Sequence, residues 1–365
     1  MNPREPGPGP VELGDLSETL SAIPHLLGFH PEESLVIVCL HGERRRLGLV
    51  LRIDLPDVGE PGWVSEIVAR VRYEQACGVV VACYTDAPGG ARAEPRRALI
   101  DALCAGLEDR GVQVHDAALV RDGRRWSYMC REPSCCPPDG VELGSMSGAA
   151  ARLGAERTFN GRGVLPSRAE LAAGVAGPTG ERLTQMRAAV AAGEQELRRV
   201  RRDEGADGAR SVTTRWVEAV WAAYSAGACG MADEVAGRIC AGVVDPEARD
   251  RVASMPVGTG GGAQDGGVWL AMLSELARRS PDESAAPACT LLAWVAYQFG
   301  EGALANVALE RALRVDPAYR MAQMLADSLN RQISPEAIRE VSRAVWERLD
   351  TSQPADGAAA RKAAG

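Results

Sequence analysis

The sequence predicts two folds in series: an α/β N-terminal domain built on a mixed five-stranded sheet with covering helices, and an all-α C-terminal domain. Three observations carry this. The first half switches between short apolar runs and apolar residues at helical spacing, the pattern of a sheet with helices laid on it. Beyond Gly205 the strand signals disappear and helical spacing alone remains. Near the end, Ala303 to Pro317 carries a regular rhythm of small and large residues suited to paired helices.

In chain order, Ser34 to Leu40 is a near-continuous apolar run and predicts a strand buried on both faces. A turn at His41-Gly42 and the charged Glu43 to Arg46 leads into Leu47 to Asp54, which predicts a hairpin partner. Pro56 to Gly62 ends that strand, and Trp63, Ile67 and Val71 share one face of a helix over Trp63 to Ala76. Gly78 to Tyr84 is a third strand, with Asp86 to Gly90 as its exit loop. Leu99, Leu103 and Leu107 place a helix over Glu94 to Arg110, which Gly111 stops. Val112 to Arg121 and Arg124 to Cys130 form a second hairpin around Asp122-Gly123, a turn dipeptide suited to the twist of paired strands.

A less regular stretch follows, until Ser167 and Glu170 show the spacing of a capping box and start a helix near Arg168. Leu183, Met186, Val190, Leu197 and Val200 make one stripe on an amphipathic connecting helix. Further helices are expected over Val212 to Ser225, Met231 to Val243, Pro246 to Ala253, Val268 to Arg279, Pro287 to Phe299, Gly302 to Val315, Tyr319 to Asn330 and Pro335 to Leu349. Gly258 to Gly267 reads as a flexible linker: it has no lysine and follows a helix, so it is not a phosphate loop. Leu292-Ala293, Ala305, Leu309, Ala312 and Pro317 fit a tetratricopeptide-like rhythm, and an antiparallel bundle is the plainer alternative. The expected domains are a disordered tail over 1–14, the α/β domain over 15–175, the connecting helix over 176–205, the helical domain over 206–350 and a second tail over 351–365.

Composition narrows the function classes. The chain of 365 residues is 46% apolar and 25% charged, with 41 basic and 49 acidic side chains and a net charge of −8. A nucleic-acid partner is not expected, because such binding draws on clustered positive charge. The one basic cluster, Arg198, Arg199, Arg201 and Arg202, is flanked by Glu194, Glu196, Asp203 and Glu204 and reads as a solvated helix face. No apolar run approaches the eighteen or so residues of a membrane span, and the proline- and glycine-rich start lacks the pattern of a secretory signal. A cytoplasmic location is therefore expected. Lys362 is the only lysine, a bias that points to a coding sequence rich in G and C.

Residues Leu20 to Val38, Leu51 to Pro56, Trp126 to Cys130 with Cys135-Cys-Pro137, and Leu304 to Leu325 resemble an uncharacterised actinobacterial family, domain of unknown function 4192. The resemblance runs over nearly the whole chain. It implies no activity, and no catalytic residue can be carried over from it.

The candidate chemistry lies in the first domain. Cys130, Cys135 and Cys136 fall within seven positions in a proline-held loop after a strand, and three readings stand: a zinc site, a reversible thiol switch, or packing. Zinc takes four ligands, so a fourth would be needed, with His115 nearest by strand order; adjacent cysteines rarely both face one metal. Most of the remaining cysteines, Cys39 and Cys83 on strands and Cys104, Cys229, Cys240 and Cys289 on helices, read as small packing residues in a reducing compartment. His25 can titrate near neutral pH, though a histidine beside Leu26-Leu27 also suits packing or capping. Asp54 and Asp86 follow strands, where paired carboxylates can hold magnesium and single ones make turns.

The leading expectation is a non-catalytic interaction or regulatory protein with a protein or peptide partner on the helical domain, where Trp216, Trp221 and Trp294 line the core or the groove, the spacing favouring the core. The alternative is an enzyme or small-ligand or metal binder at the sheet edge near His25, Asp54, Asp86 and the cysteine loop.

Overall fold

The computed structural model describes residues 15–42, 45–56, 62–87, 96–144, 148–159, 162–258 and 263–351, and the chain divides into two compact units, Met1–Arg168 and Ala169–Gly365. The expected tails over 1–14 and 351–365, save Thr351, which ends a helix, and the turn residues 57–61 and 88–95, lie outside the described residues.

The first unit is a six-stranded mixed sheet in the order β2-β1-β3-β4-β5-β6, formed by β1 (Ser34–His41), β2 (Arg46–Asp54), β3 (Gly78–Tyr84), β4 (Gln113–Arg121), β5 (Arg124–Ser127) and β6 (Val141–Glu142). Only β3 and β4 run parallel, and the chain between them supplies the crossover helix that parallel strands require. Helices α2 (Trp63–Tyr73) and α3 (Arg97–Glu108) cover one face, where Ile67, Val71, Leu99, Leu103 and Leu107 share a core with Leu35, Ile37, Val79 and Val81. Val36, Val38, Val80 and Ala82, on the opposite face, are buried as well, so the central strands are apolar on both sides.

Three differences from expectation concern this unit. The sheet has six strands, not five, because the chain returns after the cysteine loop and β6 pairs with β5 through Arg124↔Glu142 and Arg125↔Val141. A two-residue strand is too short for any alternation to show. Before β1 lies a helix that apolar spacing alone did not reveal, α1 (Leu16–Leu27). Its ends are nevertheless written in the sequence: the Asp15 carboxylate accepts the Glu18 N–H at 2.8 Å, and Gly28, at φ 81°, donates to the Pro24 carbonyl. Pro24 within the helix masks this signal. The stretch expected to be irregular holds α4 (Gly148–Phe159), whose Ala150 N–H reaches the Glu18 carboxylate.

The second unit has helices and no strand among its described residues: α5 (Arg168–Ala173), α6 (Gly180–Ser225), α7 (Asp233–Gly242), α8 (Pro246–Gly258), α9 (Ala263–Arg279), α10 (Asp282–Gln298), α11 (Gly302–Val315), α12 (Arg320–Asn330) and α13 (Pro335–Thr351). The stretch expected as a free connecting helix is the first half of α6 and belongs to this unit's core through Met186 and Val190. It continues past a non-helical Gly205 (φ 77°, ψ −173°) into the segment expected as a separate helix. The expected linker Gly258 to Gly267 is only partly outside the described residues; from Ala263 it is the start of α9. There Gly266 lies so close to the Phe299 ring that a Cβ would sit 2.6 Å from it, so the glycine serves packing rather than flexibility. Trp269 is fully buried and stacks on Trp221 at 6.0 Å, while Trp216, Trp221 and Trp294 pack on the core half-buried. Cys229 lies exposed between α6 and α7, not on a helix. No helix among the described residues is long and apolar enough to cross a membrane.

Candidate thiol site

The cysteine loop is the 13-residue connection between β5 and β6, and the strand that launches it also anchors it. Ser127, at the end of β5, donates its hydroxyl to Asp116 Oδ1 at 2.9 Å. Ser127 Oγ in turn accepts the N–H groups of Met129 (3.1 Å) and Cys130 (2.9 Å), a local side-chain cap on a strand end. Arg97 donates to the Tyr128 carbonyl at 3.0 Å and lies over its ring. On the return, Trp126 donates to the Pro138 carbonyl, and Arg124 to the carbonyls of Asp139 and Gly140. Within the loop, one carbonyl, that of Glu132, accepts the N–H of both Cys135 (3.2 Å) and Cys136 (2.8 Å).

This frame brings the three sulfurs together. Cys130 Sγ lies 3.3 Å from Cys135 Sγ, and Cys135 Sγ lies 3.8 Å from Cys136 Sγ. All three fall within 4.8 Å of one another, the only such gathering of His, Cys, Asp or Glu ligand atoms among the described residues. Cys135 is exposed and the other two are half-buried. The thiols are not equivalent. The Glu132 backbone N–H, then hydrogen bonds from Cys135 and Cys136, hold the Cys130 thiol below its ordinary pKa. The Cys135 thiol is raised by its hydrogen bond to Cys130. Burial, followed by hydrogen bonds to the other two, pushes Cys136 up to about 12. Cys130 is thus the thiol that ionises first, and the thiolate is the reactive form.

The other sequence candidates lie elsewhere in this unit. Ser34 pairs with Asp54 on one side and with Tyr84 on the other, so β1 separates the end of β2 from the end of β3, about 10 Å across two strand spacings. Asp54 is exposed and ion-paired to Arg52 at 2.7 Å. Asp86 is exposed, its N–H held by Glu33, which also accepts the buried Thr85 hydroxyl. β5 runs antiparallel to β4 and carries the cysteine loop away from those strand ends. His115 does not complete the cysteine group; its ring lies against Gly78 of β3. The residues that build the site but that spacing did not single out are Asp116, Ser127 and Glu132. The Ser127-Tyr-Met-Cys130 spacing, a hydroxyl three residues before the cysteine whose N–H it holds, was the available signal.

His25 lies on α1, with a buried Nδ1 that has no hydrogen-bond partner among the described residues. Burial, followed by the positive charge of Arg157 and then His30, lowers its pKa below the usual 6.5. The unfolded chain therefore takes up this proton at higher pH than the folded one. The stability His25 confers is present above its unfolded pKa and is lost as pH falls through the lower folded value. The melting temperature should fall between about pH 7.5 and about pH 5.5, and His25→Gln should flatten that slope. Thermal unfolding across the range checks it, and equal slopes in the two proteins would remove His25 from the account.

No curated protein and no solved structure matches the chain. The run of residues from α1 into β1, the Trp126 to Cys136 segment and the α11–α12 region, now placed in the fold, carry the earlier resemblance. The family model described as "Domain of unknown function (DUF4192)" matches residues 17–336, most of the chain, and the chain belongs to that family.

Proposed function

We propose that the protein is a non-catalytic regulatory protein of the cytoplasm whose state is set by a reversible dithiol at Cys130 and Cys135. The 3.3 Å approach of these two sulfurs on an accessible loop carries the reading. A disulfide needs about 2.05 Å, a closing movement that a short loop can make. The oxidant is another disulfide. The Cys130 thiolate attacks one of its sulfurs, forming a mixed disulfide and releasing one thiolate. Cys135, giving its proton to solvent, then attacks Cys130 Sγ and releases the second. The protein loses two electrons and the incoming disulfide gains them as two thiols. A reducing cytosol returns the pair to thiols.

The helical unit is the proposed surface for a protein or peptide partner. Supporting this is the α10–α11 pair, where Ala293, Ala305, Ala308 and Ala312 are fully buried, the small-residue contact that a tetratricopeptide-like stack uses. The near-exclusive use of arginine for positive charge supports a GC-rich, actinobacterial source.

Oxidised glutathione applied to the reduced full-length protein, followed by alkylation and peptide mapping, tests the dithiol. The Cys130–Cys135 disulfide should form first, and Cys130→Ser should abolish it. If both thiols stay open to alkylation under a large excess of oxidant, or if Cys77 and Cys229 oxidise first, the reading falls.

A further inference from the structure

We infer that Cys130, Cys135 and Cys136 also form a binding site for one soft metal ion, held by three thiolates with an outward position left open, and that Cu+ is preferred over Zn2+. The inference shares with the dithiol reading only the convergence of the sulfurs, and neither depends on the other.

Distance comes first. A metal–sulfur bond of about 2.3 Å places two ligand sulfurs about 3.8 Å apart in tetrahedral geometry and about 4.0 Å apart in trigonal geometry. The Cys135–Cys136 separation of 3.8 Å matches the tetrahedral value, the Cys130–Cys135 separation of 3.3 Å lies about 0.5 Å inside it, and no pair is more than 4.8 Å apart. Adjacent cysteines seldom share a metal, but here the double acceptance at the Glu132 carbonyl turns the chain so that both sulfurs face Cys130.

The number of donors decides the ion. A closed structural zinc site takes four ligands, and no fourth His, Cys, Asp or Glu ligand atom among the described residues lies within 4.8 Å of all three sulfurs. Thiolates suit both ions, so the number of donors discriminates: Zn2+ closes a structural site with four ligands, whereas Cu+ is content with three soft ones. Each thiol gives its proton to solvent on binding, and no electron changes hands.

The surroundings are already built. Ser127 holds the Cys130 N–H, Asp116 holds Ser127, and Trp126 and Arg124 hold the far side of the loop at Pro138, Asp139 and Gly140. Such outer contacts fix the metal-binding side chains in place and lower the ordering cost of binding. The remaining accessible cysteines, Cys77 and Cys229, belong to no comparable cluster among the described residues.

The experiment titrates the fully reduced, full-length protein without oxygen, using Cu+ against a chromophoric Cu+ chelator and, separately, Zn2+ against a Zn2+ indicator. One equivalent of Cu+ should bind and protect Cys130, Cys135 and Cys136 from alkylation while leaving Cys77 and Cys229 open. Cys135→Ser should weaken binding by about 100-fold or more, and Cys77→Ser should leave it unchanged. Circular dichroism confirms that each variant is folded; if Cys135→Ser is not, the protection pattern in the native protein and Cys136→Ser decide. Failure of Cu+ to outcompete the chelator, tighter binding of Zn2+ than of Cu+, or binding indifferent to both substitutions would overturn the inference. Absent metal binding with the glutathione-driven disulfide intact removes this site and leaves the dithiol; metal binding without that disulfide does the reverse.

Discussion

Arg311→Met should destabilise the helical unit by about 3–5 kcal/mol, a loss on the order of 10 °C in melting temperature for a unit of this size. Arg311 lies on α11 with its side chain only 3% exposed. Nη1 donates to the carbonyls of Val175 (2.7 Å) and Ala277 (2.5 Å), and Nη2 donates to the Ser280 carbonyl (2.7 Å) and Asp282 Oδ1 (2.9 Å). These acceptors are the turn after α5, the last turn of α9 and the residue after it, and the first residue of α10. The last carbonyls of a helix have no partner within it, so one guanidinium caps α9 while joining three segments. Methionine fills much of the same volume but donates nothing, leaving buried carbonyls without the donor they had. Arg311→Lys keeps the charge and loses the planar fork, and should fall between the two. Denaturant unfolding followed by tryptophan fluorescence measures the effect, since Trp269 is wholly buried in the same core. A loss under about 1 kcal/mol would mean that water replaces the guanidinium and that the network is not structural.

Gly237→Val should cost about 3 kcal/mol or more, and Gly237→Ala about 1–2 kcal/mol, against the ordinary preference of a helix for alanine. Gly237 is in α7, where α6 crosses it. A Cβ at Gly237 would sit 2.5 Å from the Ala189 carbonyl oxygen, and one at Gly193 would sit 2.8 Å from the Arg238 Cα. The obstacles are main-chain atoms of the facing helix, which cannot rotate aside as a side chain can, so the helices must part. Parting them loosens Met186, Val190, Ile239 and Cys240 together. Intrinsic propensity favours Ala over Gly by about 1 kcal/mol, and the overlap outweighs it. Urea unfolding of the two variants and of Gly193→Ala with Gly237→Ala provides the check, the pair being expected to depart from additivity because both act on one contact. A gain in stability for Gly237→Ala would show that the two helices do not touch there.

Much of the scaffold was legible because its signals are local. β3 needs nothing beyond the apolar run Gly78 to Tyr84, and the Asp122-Gly123 turn places the β4–β5 hairpin by its backbone preference alone. α11 occupies Gly302–Val315, the span its spacing predicts. α1 was hidden because Pro24 argues against a helix whose caps, Asp15 and Gly28, argue for it; the caps prevailed. Gly266 departs from the linker reading because composition cannot tell a glycine that frees the chain from one that admits Phe299.

The candidate site divides the same way. That three cysteines share a loop follows from their numbers; that their sulfurs converge does not, since adjacent residues ordinarily point apart. The convergence depends on the Glu132 carbonyl accepting two N–H groups and on Ser127 bridging Asp116 and Cys130. Asp54 and Asp86 both follow strands, but only the order of strands reveals β1 between them.

By itself, the order of residues determined most of the extended and coiled segments, α1, α4 and β6 excepted, and where the change occurs, because these follow from side-chain periodicity and turn preference over a few neighbouring positions. The tertiary structure alone decided that residue 311 clasps residues 175, 277, 280 and 282, that α6 and α7 meet at bare main chain, and that three sulfurs share one small volume. Such contacts join positions far apart in the chain or turn on the path of a loop, and no local pattern records them.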